Sequence, residues 1–219
     1  MTIEPGLRES KKRETRQLIS DRATSLFIEQ GFERTTIAEI AAAARVAKKT
    51  VTNYFPRKED LALDHHEAFT RGLARTVADR EAGETPLAAL ARACRLALLE
   101  HSPVIGFTGT AFARMVADSP TLTARLRELH DQRENELVAA LATAAPGSAG
   151  TIAPRAAAAL IAGADRLLFR RIQELTLAGR TDDEITAALV PEADHIAALL
   201  AAALADCPAA TARRTPPGA

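Results

Sequence analysis

The stretch Val46-Ala-Lys-Lys-Thr-Val-Thr-Asn-Tyr-Phe-Pro-Arg-Lys-Glu-Asp-Leu61 leaves room for a helix of barely two turns between Arg45-Val46 and Pro56, with Val51 as its apolar anchor. A helix that short cannot hold itself in water and must be fixed by its neighbours. Those neighbours read as helices. From Arg8 to Gln30, apolar residues recur at Ile19, Ala23, Leu26 and Phe27, and Gly31 supplies the stop. Lys11, Lys12, Arg13, Arg16 and Arg22 fall largely on other faces, half for solubility and half for attraction to phosphate. Thr36-Ile37-Ala38-Glu39 has the form of a capping box and opens a second helix to about Ala44, burying Ile37, Ile40, Ala41 and Ala44.

Alanine supplies 48 of the 219 residues, Phe and Tyr are few and Trp is absent, so the chain favours helices over sheets and is expected to be all-α. A single long helix is expected from Arg57 to about Arg80, carrying Leu61, Phe69, Leu73 and Val77 on one stripe. Thr85-Pro86 caps the next, to His101, followed by Phe107 to Ala117, Pro120 to Ala144 and Pro154 to Ala178, the last stopped by Gly179. A short helix from Asp182 to Val190 and a final one from Pro191 to about Asp206 bring the total to nine or ten. The expected division is a reading unit over 1–56, a helical body over 57–207 and a disordered Pro-rich tail over 208–219.

With 28 basic against 28 acidic side chains, any contact with a polyanion must come from a local patch. Cys94 and Cys207 lie far apart and read as reduced thiols, and the start has no leader-like pattern. No apolar segment reaches the roughly 20 residues that span a bilayer, the Ile196 to Ala205 run being too short, so a cytoplasmic chain without membrane contact is expected.

Two short helices joined by a tight turn, the second exposing Lys48, Lys49, Thr50, Thr52 and Asn53, form the pattern that places a helix in a DNA major groove. Lys and Asn are donors to guanine and adenine edges. Phe55 plugs the core between helices, Tyr54 offers its hydroxyl to a phosphate, and Lys58 adds a cation near the start of the next helix.

Thr35-Thr36-Ile37-Ala38-Glu39-Ile40-Ala41, followed by Val46-x-x-x-Thr50-Val51-x-Asn53-Tyr54-Phe55-Pro56-x-Lys58-Glu59-Asp60-Leu61, resembles the N-terminal DNA-binding domain of the TetR-type transcriptional regulators. The resemblance is strong from Arg13 to Leu63; beyond, only the order of helices is similar. It implies a homodimeric regulator, a repressor on a palindromic operator, released by a small and largely apolar effector of unknown identity. It places phosphate contacts on Thr36, Tyr54 and Lys58, with Thr35 beside them, and base contacts on Lys48, Lys49, Thr50, Thr52 and Asn53. It places an effector cavity among Phe69, Leu73, Cys94, Leu98, Phe107, Phe112, Met115, Leu126, His130 and Phe169. It places the dimer interface on the last two long helices, at Leu160, Gly163, Leu167, Ile196, Leu199, Leu200 and Ala203, where alanines and glycine permit close approach. Two positions depart from the family pattern: Arg45 stands where a glycine is usual in the turn, and Ala47 where a serine often caps the reading helix.

Two other classes stand beside this reading. A constitutive DNA-binding regulator would have the same first unit and a filled helical body. A helical metal enzyme would draw on Asp64-His65-His66-Glu67 and Glu192-Ala193-Asp194-His195, yet a di-iron bundle needs two Glu-x-x-His segments and only the one at Glu192 is present. No Gly-x-Ser-x-Gly, phosphate-binding loop, dinucleotide fingerprint or paired-cysteine cluster occurs, so no catalytic residue, metal or cofactor is expected.

Overall fold

A computed structural model describes residues 6–148 and 150–214. These form eleven α-helices, two short 3-10 turns and no strand: α1 Leu7–Gln30, α2 Ile37–Ala43, α3 Lys48–Tyr54, α4 Glu59–Ala62, α5 His66–Ala78, α6 Pro86–Leu99, α7 Thr110–Asp118, α8 Pro120–Ala144, α9 Ala153–Leu177, α10 Asp182–Ala203 and α11 Pro208–Thr211. The chain divides into two compact units. The first comprises the chain up to His66 together with Arg114–Arg125, and the second comprises Glu67–Ala113 and everything from Leu126 onward.

In the first unit, Ile19, Ala23 and Phe27 of α1, Ile40 and Ala41 of α2 and Val51 of α3 are all buried, and α2 packs against both α1 and α3. Thr36 caps α2: its hydroxyl accepts from the Glu39 amide at 3.2 Å while the Glu39 carboxylate accepts from the Thr36 amide at 2.7 Å, the box expected from the sequence. Those bonds, the backbone one first, hold the Glu39 carboxyl below its ordinary pKa. After α2 the chain turns on Arg45, whose φ of 54° is left-handed. The Val46 amide donates to Ala41 O at 3.0 Å and the Arg45 amide to Ala42 O at 3.1 Å, the paired bonds of a Schellman ending with arginine in the glycine position.

The expected helix from Arg57 to Arg80 is broken into α4 and α5 across Leu63–His65. Its backbone carbonyls are diverted there: Leu63 O takes the His66 amide and Asp64 O takes Arg16 Nη2 at 3.5 Å. The Asp64 carboxylate accepts from Ser20 Oγ at 2.7 Å, a competing bond that helical continuation would disturb. The first boundary accordingly falls after His66 rather than after Pro56.

In the second unit, one buried cluster joins Val77, Leu87, Leu90, Leu137, Leu141 and Ile161, and another joins Leu98, Phe107, Leu168, Ile172, Ile185 and Leu189. Two expectations fail here. The two helices expected to meet at Pro191 are one, α10, with Pro191 inside it. Burial of Ile185, Leu189 and Ala193 on one stripe offsets the lost backbone bond. Unbroken, α10 is also long and apolar enough to cross a membrane by length and composition, although it packs against α6 and α9. The tail expected to be disordered from Pro208 begins instead with α11, because Ala209 and Ala210 are fully buried in the first of the two clusters. Residues 215–219 of that expected tail lie outside the described residues.

Candidate nucleic-acid interface and effector cavity

The reading helix α3 buries Val51 and, at its end, Phe55, leaving Lys48, Lys49, Thr52 and Asn53 exposed and Thr50 and Tyr54 half-buried. At about 100° per residue, positions 48, 49, 52 and 53 share an arc of roughly 140°. Two ammonium groups, a hydroxyl and an amide thus project from one face, the donor set that reads base edges. Thr52 Oγ1 donates to Lys49 O at 3.1 Å, which leaves its lone pairs outward.

Arg16 fixes the far end of α3. Its Nη1 donates to Tyr54 O at 3.1 Å and its guanidinium lies 4.2 Å from the Phe55 ring centroid. A cation at a helix C-terminus complements both the dipole and the open carbonyls. Arg16 is therefore no general surface charge, contrary to the expectation for the basic run in α1. Its place one turn before Ile19 and two before Ala23, on the buried stripe, was the signal available in the sequence.

Three residues expected at the phosphate edge have their polar groups engaged within the unit. Thr35 is buried and its hydroxyl donates to Gly31 O at 2.9 Å, so it closes the turn between α1 and α2 and offers nothing outward. Lys58 is half-buried, with Nζ 4.4 Å from the Phe32 ring centroid and donating to Glu33 O at 3.3 Å. Thr36 is exposed but its hydroxyl is committed to the α2 cap.

In the second unit, two cavities meet at Cys94, Asp165 and Leu168. One, of about 10 Å³, is walled by Phe69, Leu98, Ile105 and Phe169. The other, of about 70 Å³, is walled by Leu73, Leu90, Ile161, Ile196 and Leu200 among others. Of the residues expected at a cavity, Phe69, Leu73, Cys94, Leu98 and Phe169 line one or both. His130 stands edge-on between the Phe69 and Phe169 rings, with centroids at 4.9 and 5.3 Å. Phe107 packs into the Leu98–Ile172 core. Met115 is buried in the first unit, and half-buried Phe112 and Leu126 line neither cavity.

Sequence reasoning missed the polar centre of this region. Arg133, 4% exposed, donates to Asp165 from Nε and Nη2, both at 2.9 Å, and its Nη1 donates to Phe69 O. The guanidinium also lies 4.7 Å from the Phe69 ring centroid. A Cβ at Gly72 would lie 3.1 Å from Nη1, closer than ordinary contact, so a side chain there would press on the arginine. The signal was a charge on a buried stripe: Arg133 lies between Leu129 and Leu137, and Asp165 between Ile161 and Leu168. Burial holds the His130 imidazole down to a pKa of about 4 and pushes the Cys94 thiol up to about 11, so both are neutral near pH 7.

Leu160, Leu167 and Leu199 are each about half exposed, and Gly163 and Ala203 are exposed beside them. Leu160, Gly163 and Leu167 share one stripe of α9, and Leu199 and Ala203 one stripe of α10. Ile196 and Leu200, expected on that surface, turn inward one turn apart and line the larger cavity. The run Asp64 to Glu67 is dispersed among Ser20, Leu63 O and Arg71.

Residues 19–64 match the family of bacterial regulatory proteins, tetR family. The similarity to that family is thus carried by the N-terminal unit. Over 143 residues it is 34% identical to the HTH-type transcriptional regulator TcmR of Streptomyces glaucescens, an alignment spanning 63% of each chain and so less than two thirds of that protein's length. A solved structure from Syntrophomonas wolfei assigned to the TetR family shares the fold at a TM-score of 0.58 with 20% identity, over 85% of this chain and 96% of that one. Salmonella enterica GusR shares it at 0.56 with 18% identity, over 88% and 96%. A complex of SmeT with triclosan shares it at 0.52 with 21% identity, over 87% and 91%.

Proposed function

We propose that the chain is a DNA-binding transcriptional regulator that acts as a homodimer in the cytoplasm, holding two copies of α3 in successive major grooves of a palindromic operator. The observation that carries it is the exposed arc of Lys48, Lys49, Thr52 and Asn53 on a helix whose opposite side is anchored by Val51, Phe55 and Arg16. The leucine stripes of α9 and α10 supply a surface for a second copy, whose two-fold symmetry the operator would mirror.

The regulator is a repressor released by a small effector that enters the second unit. A space of about 70 Å³ is far below the few hundred a drug-sized ligand occupies, so an effector must select a state with its walls apart. SmeT, of the same fold, was solved with triclosan, an aromatic molecule of the kind such walls would accept. The small volume is also what a constitutive regulator would show, and that second reading predicts an operator affinity no added small molecule alters.

The test is binding of operator and random duplexes by substituted chains. Lys48→Ala and Asn53→Ala should each cost roughly 1 to 3 kcal/mol on operator DNA and much less on random DNA. Equal losses on both would remove base reading by α3.

A further inference from the structure

The polar side chains lining the larger cavity among the described residues are Asp165, Asp194 and the Cys94 thiol; the rest of the wall is aliphatic. Each carboxylate has an arginine partner that does not line the space. Arg133 forks onto Asp165, and Arg95 donates to Asp194. Arg133 turns one N–H of each guanidinium nitrogen to these partners, two to Asp165 and one to Phe69 O, and the residue itself does not line the space. Asp165 differs: each oxygen accepts one bond from Arg133 and retains a lone pair, and the residue borders both cavities. What the walls present is therefore apolar surface with unfilled acceptor capacity and almost no donor capacity.

We infer that Asp165, locked by Arg133, is the polar anchor of the cavity and selects a neutral or cationic guest: a compact apolar or aromatic body bearing a hydroxyl or amine directed at the carboxylate, with acids excluded. This deepens the effector-responsive reading and rests on it. A donor meeting Asp165 forms a charge-assisted hydrogen bond shielded from water. A guest carboxylate would instead face a carboxylate in a wall that no cationic side chain lines. The aliphatic residues around Asp165 accept the body of the guest without discriminating among hydrocarbons, so the choice among ligand classes falls on this side chain.

The test uses the full chain and four single-ring probes of similar size: toluene, phenol, benzylamine and benzoate. Each is titrated while the methyl resonances of Ile161, Leu168 and Ile196 are followed, which confines the readout to this cavity. Phenol and benzylamine should bind about tenfold more tightly than toluene, with benzoate weakest. In Asp165→Asn the advantage of benzylamine over toluene should disappear. If that variant does not fold, Arg133→Met combined with Asp165→Leu removes both charges together, and toluene should then bind at least as well as phenol. Benzoate binding as tightly as phenol, or a donor preference that survives loss of Asp165, overturns the anchor while leaving a responsive cavity. If none of the four probes, toluene included, moves those methyl signals, the cavity is not an effector site and the responsive reading falls with it.

Discussion

Arg125 places both Nε, at 3.2 Å, and Nη2, at 2.9 Å, on a single oxygen of Asp60, across 65 residues of sequence and with both side chains about nine-tenths buried. A few residues away Ser119 Oγ donates to the Glu33 carboxylate at 2.6 Å and holds its pKa below the ordinary value. These bonds tie Arg114–Arg125 to the rest of the first unit. Because both members of the Asp60–Arg125 pair are about nine-tenths buried, neutralising Asp60 removes a charged acceptor that two Arg125 donors share out of water. Asp60→Asn should lower the stability of the first unit by roughly 3 kcal/mol, read as a shift in the denaturant midpoint with the slope unchanged. A change under about 0.5 kcal/mol would assign the pair the minor role of a surface contact.

The reading helix starts without a side-chain cap: Ala47 has extended backbone at φ −69° and ψ 146° and makes no cap bond. A serine there can accept from an amide of the first turn, and Ala47→Ser should stabilise the chain by about 1 kcal/mol. Arg45→Gly should add about 1 kcal/mol by relieving a left-handed φ. Thermal melts of the two variants and of the double variant check both values and their additivity.

His130 sets a pH dependence. Its pKa in the folded chain is about 4, against an ordinary 6.5, because burial among Phe69 and Phe169 penalises the charged ring. The folded state stays neutral while the unfolded chain takes up a proton. The stability is therefore fully present above about pH 6.5 and lost as pH falls toward 4. His130→Phe, which keeps a ring but removes the titration, should lose roughly 2 kcal/mol less than the unsubstituted chain between those pH values. Parallel curves for the two proteins would show that other groups account for the acid sensitivity.

The two adjacent leucines near the end of α10 should behave differently on charge substitution. Leu199 is 57% exposed on the outer stripe, whereas Leu200 lines the cavity. Leu199→Glu should give folded monomers by sedimentation, because it puts a charge on the exposed leucine stripe proposed to receive a second copy. Leu200→Glu should destabilise the fold itself, since a carboxylate would enter an apolar wall. Dimers that persist in Leu199→Glu would place the interface elsewhere.

The sequence carried the first unit almost completely, because its signals are local. The capping box at Thr36, the stop at Gly31 and the anchor at Val51 each act over a few residues, and the structure realises all three. What escaped depends on distant partners. The break at Leu63–His65 follows from Ser20 and Arg16, and burial of α11 follows from the core that receives Ala209 and Ala210. Pro191 misled in the opposite direction, since its local cost is outweighed by packing along α10. Of the cavity residues, the family resemblance pointed to Phe69, Leu73, Cys94, Leu98 and Phe169 but not to Asp165. A charge on an apolar stripe declares itself only when its partner, here Arg133 on another helix, is known.

The measurement that tests base reading by α3 most directly is selection of duplexes bound by the full-length chain from a random DNA pool. An enriched palindrome with half-sites about one helical turn apart is the expected result, and its recognised bases should change when Lys48 or Asn53 is replaced. No enrichment at low salt, where phosphate attraction is strongest, would contradict it and leave the exposed arc of α3 as a solvated face.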